Sequence, residues 1–211
     1  MAAMGGKMKV EQAKIKNKVG LVIDGNNIKV EEGTTILQAA HILGIHIPAL
    51  CYNDQVKPHG ACRLCIVEIE TNGRSKIVTS CAYPAEDGLI VHTSSPKVEE
   101  IRKNLVELYM TLFPYNPEIR DLAKKYGLTF TRYKKENNYC IVCGLCVRYC
   151  EEVKKRNAIG FIGRGINKKV AFIPESSFFK NCQDCMECVG ICPTGVFPSN
   201  YGMDRIPQID D

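Results

Sequence analysis

Twelve cysteines in 211 residues constrain this chain more than any other feature. Four lie between Cys51 and Cys81 and eight between Cys140 and Cys192, and the stretch 82–139 between them has none. Residues Met1 to Lys18 carry five Lys and one Glu and no apolar run, so a secretory signal is not expected. Such a chain belongs in a reducing, cytoplasmic setting, where twelve thiols are better explained by metal than by disulfides. No stretch reaches the ~18 uninterrupted apolar residues of a membrane helix, so direct insertion by that route is not expected.

The eight later cysteines form a repeated run. Cys140-x2-Cys143-x2-Cys146-x3-Cys150 is followed by Cys182-x2-Cys185-x2-Cys188-x3-Cys192-Pro193. This is the spacing of bacterial ferredoxin runs, in which the fourth Cys ligates the other cluster. Three thiols two residues apart wrap a loop around one corner of a cubane, with backbone N–H groups aimed at the sulfurs. The fourth begins the following helix and points away. The spacing therefore assigns one [4Fe–4S] cluster to Cys140, Cys143, Cys146 and Cys192, and a second to Cys182, Cys185, Cys188 and Cys150. The first run has Glu151 where a Pro would be usual, so the two copies differ. Structural zinc also favours Cys pairs two apart, but it takes four ligands and not two offset runs of four.

Cys51-x10-Cys62-x2-Cys65-x15-Cys81 is less specific. Plant-type [2Fe–2S] proteins have a first gap of four residues, and on spacing alone zinc stays open. Context favours a [2Fe–2S] cluster. Gly60 permits a tight loop beside the close pair, and Cys81 follows a returning strand.

The chain reads as α+β. Strand candidates are Val19–Ile23, Ile28–Val30, Ile66–Glu70, Ile77–Ser80 and Leu89–Thr93, with turns at Asp24–Asn27 and Thr71–Arg74. Thr34 or Thr35 caps a helix running to Gly44. Hairpins crossed by one helix give a β-grasp-like [2Fe–2S] domain over residues 19–95, after a basic tail over 1–18. A helical spacer over 96–136 opens with Ser95 as N-cap and Pro96 in the first turn. Val98, Ile101, Leu105, Leu108, Tyr109 and Leu112 share one face, Pro114 and Pro117 end it, and a second helix from Pro117 to Tyr126 closes at Gly127. Residues 137–200 form the two-cluster bacterial ferredoxin-like domain, with a hairpin over Ala158–Gly165 and Val170–Ile173 between its runs. The tail 201–211 lacks periodicity.

Ile47-Pro48-Ala49-Leu50-Cys51-Tyr52 and Gly60-Ala61-Cys62-Arg63-Leu64-Cys65-Ile66-Val67-Glu68 resemble the N-terminal ferredoxin domain of the large iron–sulfur subunit of complex I. That domain also occurs in multisubunit [FeFe] hydrogenases, NAD-linked formate dehydrogenases and the diaphorase part of bidirectional [NiFe] hydrogenases. Ser80-Cys81, Asp87–Thr93, Arg102-Lys103, Val106–Leu108 and Phe161–Gly165 continue the resemblance, which spans about residues 19–200. It implies a [2Fe–2S] site at Cys51, Cys62, Cys65 and Cys81. Family members usually carry a further cluster on a His-x3-Cys-x2-Cys motif, but Leu112–Pro117 holds neither His nor Cys, so that cluster is expected to be missing. The chain ends at Asp211 with no hydrogenase or molybdopterin domain, which makes a separate catalytic subunit the expectation.

Of the four His, only His59 lies near a cysteine pair. Four thiols already suffice there, and packing or surface roles are expected for His41, His46 and His92. There is no phosphate loop, dinucleotide fingerprint or nucleophile–base pair, so no catalytic residue and no flavin or nicotinamide site is expected. The net charge of +5 suggests nucleic acid. However, each oxidised cluster with four thiolates carries about −2, which leaves a net charge near −1 and no reason to expect that partner. Lys154, Lys155, Arg156, Lys168 and Lys169 then read as a solvated face or a docking patch. The expected function is an electron-transfer subunit between an NAD(P)H-linked flavoprotein and a metal-containing catalytic subunit. Alternatives are a free multi-cluster ferredoxin and a zinc-stabilised module.

Overall fold

A computed structural model describes residues 17–71, 73–134, 140–172 and 185–195. Residues 1–16 of the basic tail, the C-terminal tail and Cys182 lie outside the described residues, and Lys18 belongs to the first strand rather than to the tail.

The N-terminal module is a five-stranded sheet. Strands β1 (Lys18–Ile23) and β2 (Asn26–Glu31) pair antiparallel across a two-residue Asp24-Gly25 turn, in which both residues have positive φ. That geometry matches the right-handed strand twist, so Asn26 and Asn27 join the strand rather than the turn. Strands β3 (Ile66–Thr71) and β4 (Arg74–Thr79) form a second hairpin, and β4 starts three residues before the apolar pattern suggests. Strand β5 (Leu89–His92) lies between the hairpins, parallel to β1 and antiparallel to β3, giving the order β2-β1-β5-β3-β4.

Helix α1 (Ile36–Ile42) crosses this sheet. Thr35 and Gln38 form a capping box that satisfies donors at its N-terminus. Its apolar residues Ile36, Leu37, Ala39 and Ala40 are fully buried with Leu21, Ile23, Val67, Ile69 and Val91. The backbone N–H groups of Ile36 and Leu37 donate to the carbonyls of Tyr83 and Ser80, which ties the helix start to the loop carrying Cys81.

Helix α2 (Pro96–Leu112) starts at the expected Ser95 cap, but its buried face differs from the apolar stripe. Val98, Arg102, Val106, Glu107, Tyr109 and Thr111 are buried, whereas Leu108 is 41% exposed. The helix packs against β3 on one side and α3 (Pro117–Lys125) on another. Polar residues between these neighbours find partners that periodicity does not reveal.

The C-terminal module carries α4 (Leu145–Arg148), a π-helical turn over Tyr149–Val153, the hairpin β6 (Ile159–Ile162) and β7 (Lys169–Phe172), and α5 (Glu187–Gly190). No described helix is long and apolar enough to cross a membrane.

Candidate metal centres

Cys51, Cys62, Cys65 and Cys81 each keep at most 2% of their surface exposed. They come from three separate segments. Cys51 lies on the loop after α1, Cys62 and Cys65 lie on the loop that leads into β3, and Cys81 follows β4. Gly60 reaches φ +67°, which lets the chain turn sharply into the Cys62–Cys65 loop. The Cys62 N–H lies 3.4 Å from Cys51 Sγ, and the Ala61 N–H also favours that sulfur as a thiolate.

The thiols interact in two pairs. The hydrogen bond from Cys62 lowers Cys51 to about 6, and that bond and burial raise Cys62. Likewise Cys81 lowers Cys65 to about 7, and Cys81 itself is raised. Each pair therefore holds one thiolate readily, and the second thiolate requires a positive charge between them. Iron supplies such charge, so the donor chemistry fits a thiolate-ligated cluster.

The surroundings of this site are tightly fixed. Ser80 is fully buried and donates through both its N–H (3.0 Å) and Oγ (2.7 Å) to the Cys65 carbonyl. Tyr109 Oη donates to the Cys62 carbonyl at 2.7 Å. Arg102 is only 2% exposed, and its Nε donates to the Leu64 carbonyl at 3.1 Å. Its Nη2 donates to Ile66 O at 2.8 Å and Thr93 O at 3.2 Å. A single guanidinium thus fastens α2 to the Cys62–Cys65 loop and to the start of β3. Tyr109 and Arg102 carry no signal of this role in composition or spacing.

In the second module Cys140, Cys143, Cys146 and Cys192 line one cavity with Ile141, Leu145 and Val170. Cys150, Cys185 and Cys188 line another with Tyr149, Ala158 and Ile159. These are the two sets that the crossed spacing joins, except that Cys182 is not among the described residues. The Val142 N–H favours the Cys140 thiolate and the Leu145 N–H that of Cys143, while Ala158 N lies 3.3 Å from Cys150 Sγ. Burial pushes Cys143 up to about 11 and raises Cys140 and Cys146, so metal-free thiolates are disfavoured there. Helix α4 begins at Leu145, so Cys146 already lies within it and Cys150 sits in the π-helical turn.

Gly144 has φ +69°, and a Cβ there would meet Phe161 Cζ at 2.6 Å. The ring from β6 therefore packs directly on the backbone between Cys143 and Cys146. Tyr149 Oη donates to Glu187 Oε2 at 2.8 Å, and Lys154 pairs with the same carboxylate, joining the two cysteine runs. Asn116 donates to the Pro193 carbonyl at 2.6 Å, and Phe113 is buried against Tyr109. Within the Leu112–Pro117 segment, Phe113 and Asn116 are thus engaged, while Tyr115 is 79% exposed.

His59, His41 and His46 are exposed, and His92 pairs with Glu70 at 3.1 Å. Of the basic residues, Lys154 is engaged by Glu187 and Lys168 lies 4.0 Å over the Phe161 ring, while Lys155 and Lys169 are exposed.

Residues 16–96 match the model of a 2Fe-2S iron-sulfur cluster binding domain. Residues 132–198 match that of the NADH-quinone oxidoreductase subunit 3 ferredoxin-like domain. The NADPH-Fe(3+) oxidoreductase subunit alpha of Geobacter sulfurreducens is 35% identical over 86% of this chain and 24% of its own length. An NADH-quinone oxidoreductase subunit of Rhizobium meliloti is 32% identical over 87% of this chain and 24% of its own length. A chain in a crystal structure of an NAD+-reducing [NiFe]-hydrogenase superposes with a TM-score of 0.64 at 30% identity, covering 74% of this chain and 76% of that one. The chain belongs to this iron–sulfur protein family. It combines a [2Fe–2S] domain with a [4Fe–4S] ferredoxin-like domain, and it spans about a quarter of the length of the two oxidoreductase subunits.

Proposed function

We propose that this chain is an electron-relay subunit with three centres. They are a [2Fe–2S] cluster held by Cys51, Cys62, Cys65 and Cys81, a [4Fe–4S] cluster held by Cys140, Cys143, Cys146 and Cys192, and a second held by Cys182, Cys185, Cys188 and Cys150. When bound, the clusters would take up and release single electrons without breaking substrate bonds. The chain's own residues exclude water, aim N–H groups at the sulfurs and fix the spacing between sites.

One observation carries this reading: thiols of the first and second modules are buried in the same apolar cluster. Cys51, Cys62 and Cys143 share one buried cluster with Leu64, Tyr109 and Leu145. Cys150 and Cys188 share the next, with Cys146 and Cys192 packed against it. A succession of thiol sites packed into neighbouring apolar clusters suits electron tunnelling. Zinc has no redox chemistry, and a structural zinc module has no use for such a succession.

Relatives named as subunits of NAD(P)H-linked oxidoreductases support the placing of the relay. We infer a cytoplasmic complex in which a flavin- and NAD-binding subunit supplies electrons and a metal-containing catalytic subunit, such as a hydrogenase or formate dehydrogenase, consumes them. Anaerobic native purification with mass spectrometry of every co-migrating chain tests this. Recovery of a flavoprotein and a metalloenzyme chain supports it. A brown protein migrating alone, reducible only by added flavoenzymes, contradicts fixed assembly and favours a free ferredoxin.

A further inference from the structure

Arg148 ends α4 in the second module, between Cys146 and Cys150, but its guanidinium reaches into the first. Nη2 donates to the Cys51 carbonyl at 3.0 Å, and Nη1 donates to the Lys57 carbonyl. The residue is 9% exposed, and its Nε is buried with no acceptor among the described residues. A second link runs alongside, as the Lys57 N–H donates to Glu152 Oε2 at 2.7 Å. Both ends of the Cys51–Lys57 loop are therefore held by one turn of the second module.

We propose that Arg148 is a positioning residue that locks the Cys51–Lys57 loop onto the Cys140–Cys150 segment and, through its fixed charge, raises the reduction potential of the centre held at Cys51. The proposal rests on the relay reading. A centre that gains an electron becomes more negative, so a nearby buried cation favours its reduced form, with little screening by solvent. The same charge favours the thiolate of Cys51. The planar guanidinium fork reaches the two carbonyls from two separate nitrogens in a fixed geometry. A Lys at this position keeps the charge and loses the bridge.

The test uses the full chain purified anaerobically with its clusters. EPR-monitored redox titration of the [2Fe–2S] signal is compared for wild type, R148M and R148K, together with hydrogen exchange at the Val56 amide, which donates to the Asn53 carbonyl inside the loop. At the wild-type midpoint the reduced-to-oxidised ratio is expected to fall about threefold to tenfold in R148M, a tenfold fall being about 59 mV for one electron. R148K is expected to keep that ratio within about twofold, and both variants to speed Val56 exchange about tenfold or more. If R148M loses the signal, the exchange in R148K decides alone. A retained R148M signal with an unmoved midpoint, or wild-type exchange in R148K, overturns the proposal. A wild-type chain without any [2Fe–2S] signal overturns the relay reading and this proposal together, whereas a wild-type signal that R148M fails to move overturns this proposal alone.

Discussion

Replacing Arg102 with Met should loosen the first module more than any other single change on α2. The side chains are similar in length, so the substitution mainly removes charge and donors. Three main-chain carbonyls, those of Leu64, Ile66 and Thr93, lose a charged partner inside the core. Leaving a buried acceptor unpaired costs roughly 1–3 kcal/mol. Three at the lower end give about 3 kcal/mol, and the upper end is reduced because burying the guanidinium itself carries a desolvation cost. For a module of this size 1 kcal/mol moves the midpoint by about 4–8 °C, so R102M should melt about 12 °C lower or more. Thermal loss of visible absorption, read beside the [2Fe–2S] and [4Fe–4S] EPR signals, is the assay. The [2Fe–2S] signal should fail first, because Leu64 lies between Cys62 and Cys65. A midpoint within about 3 °C of wild type, with full iron retained, would refute the claim that Arg102 holds this loop.

Cys62→Ser should remove or alter the [2Fe–2S] EPR signal and leave the [4Fe–4S] signals; loss of every signal from a folded chain would contradict the partition. Tyr109→Phe deletes the hydrogen bond to the Cys62 carbonyl and should cost about 1 kcal/mol, measured by urea titration. Gly144→Ala forces an L side chain into left-handed backbone at about 1–2 kcal/mol and pushes on Phe161, so [4Fe–4S] iron should drop while the [2Fe–2S] signal persists. Arg132 holds the Glu107 carboxyl below the ordinary carboxylate range, and the Arg132 N–H donates to it at 2.7 Å. Because the folded value is depressed, this tether is fully present above the unfolded value of about 4.3 and is lost as pH falls through the folded one. Exchange of the Arg132 amide, corrected for its intrinsic rate, should therefore stay flat from pH 8 to pH 5 and be faster at pH 7 in E107Q. An onset near pH 6 would contradict this.

Much of this architecture is legible locally. Asp24-Gly25 fixes a hairpin, Thr35 and Gln38 fix a helix start, and Ser95-Pro96 fixes another. The two cysteine cavities follow the crossed spacing because loop and helix geometry repeat wherever that spacing repeats. Non-local placements are harder to read. Nothing in Leu89–His92 says that this strand inserts between two hairpins, because its partners are chosen by the sheet as a whole. The apolar stripe on α2 places Leu108 inside and gives no place to Arg102, Glu107 or Thr111. Each of these polar groups is buried against a partner distant in sequence, and amphipathic periodicity does not register such partners. Arg148 is hidden for the same reason. In a basic chain it reads as one more solvated cation, yet its acceptors lie more than ninety residues away.

The central claim is that three thiolate sets hold three one-electron centres. Iron and acid-labile sulfide should be counted on the anaerobically purified chain, followed by reductive titration under EPR. The account predicts about ten irons and uptake of about three electrons per chain, with one [2Fe–2S] signal distinct from the [4Fe–4S] signals. A colourless, zinc-bearing chain would contradict it outright, and about fourteen irons would mean that a further centre lies outside these twelve cysteines.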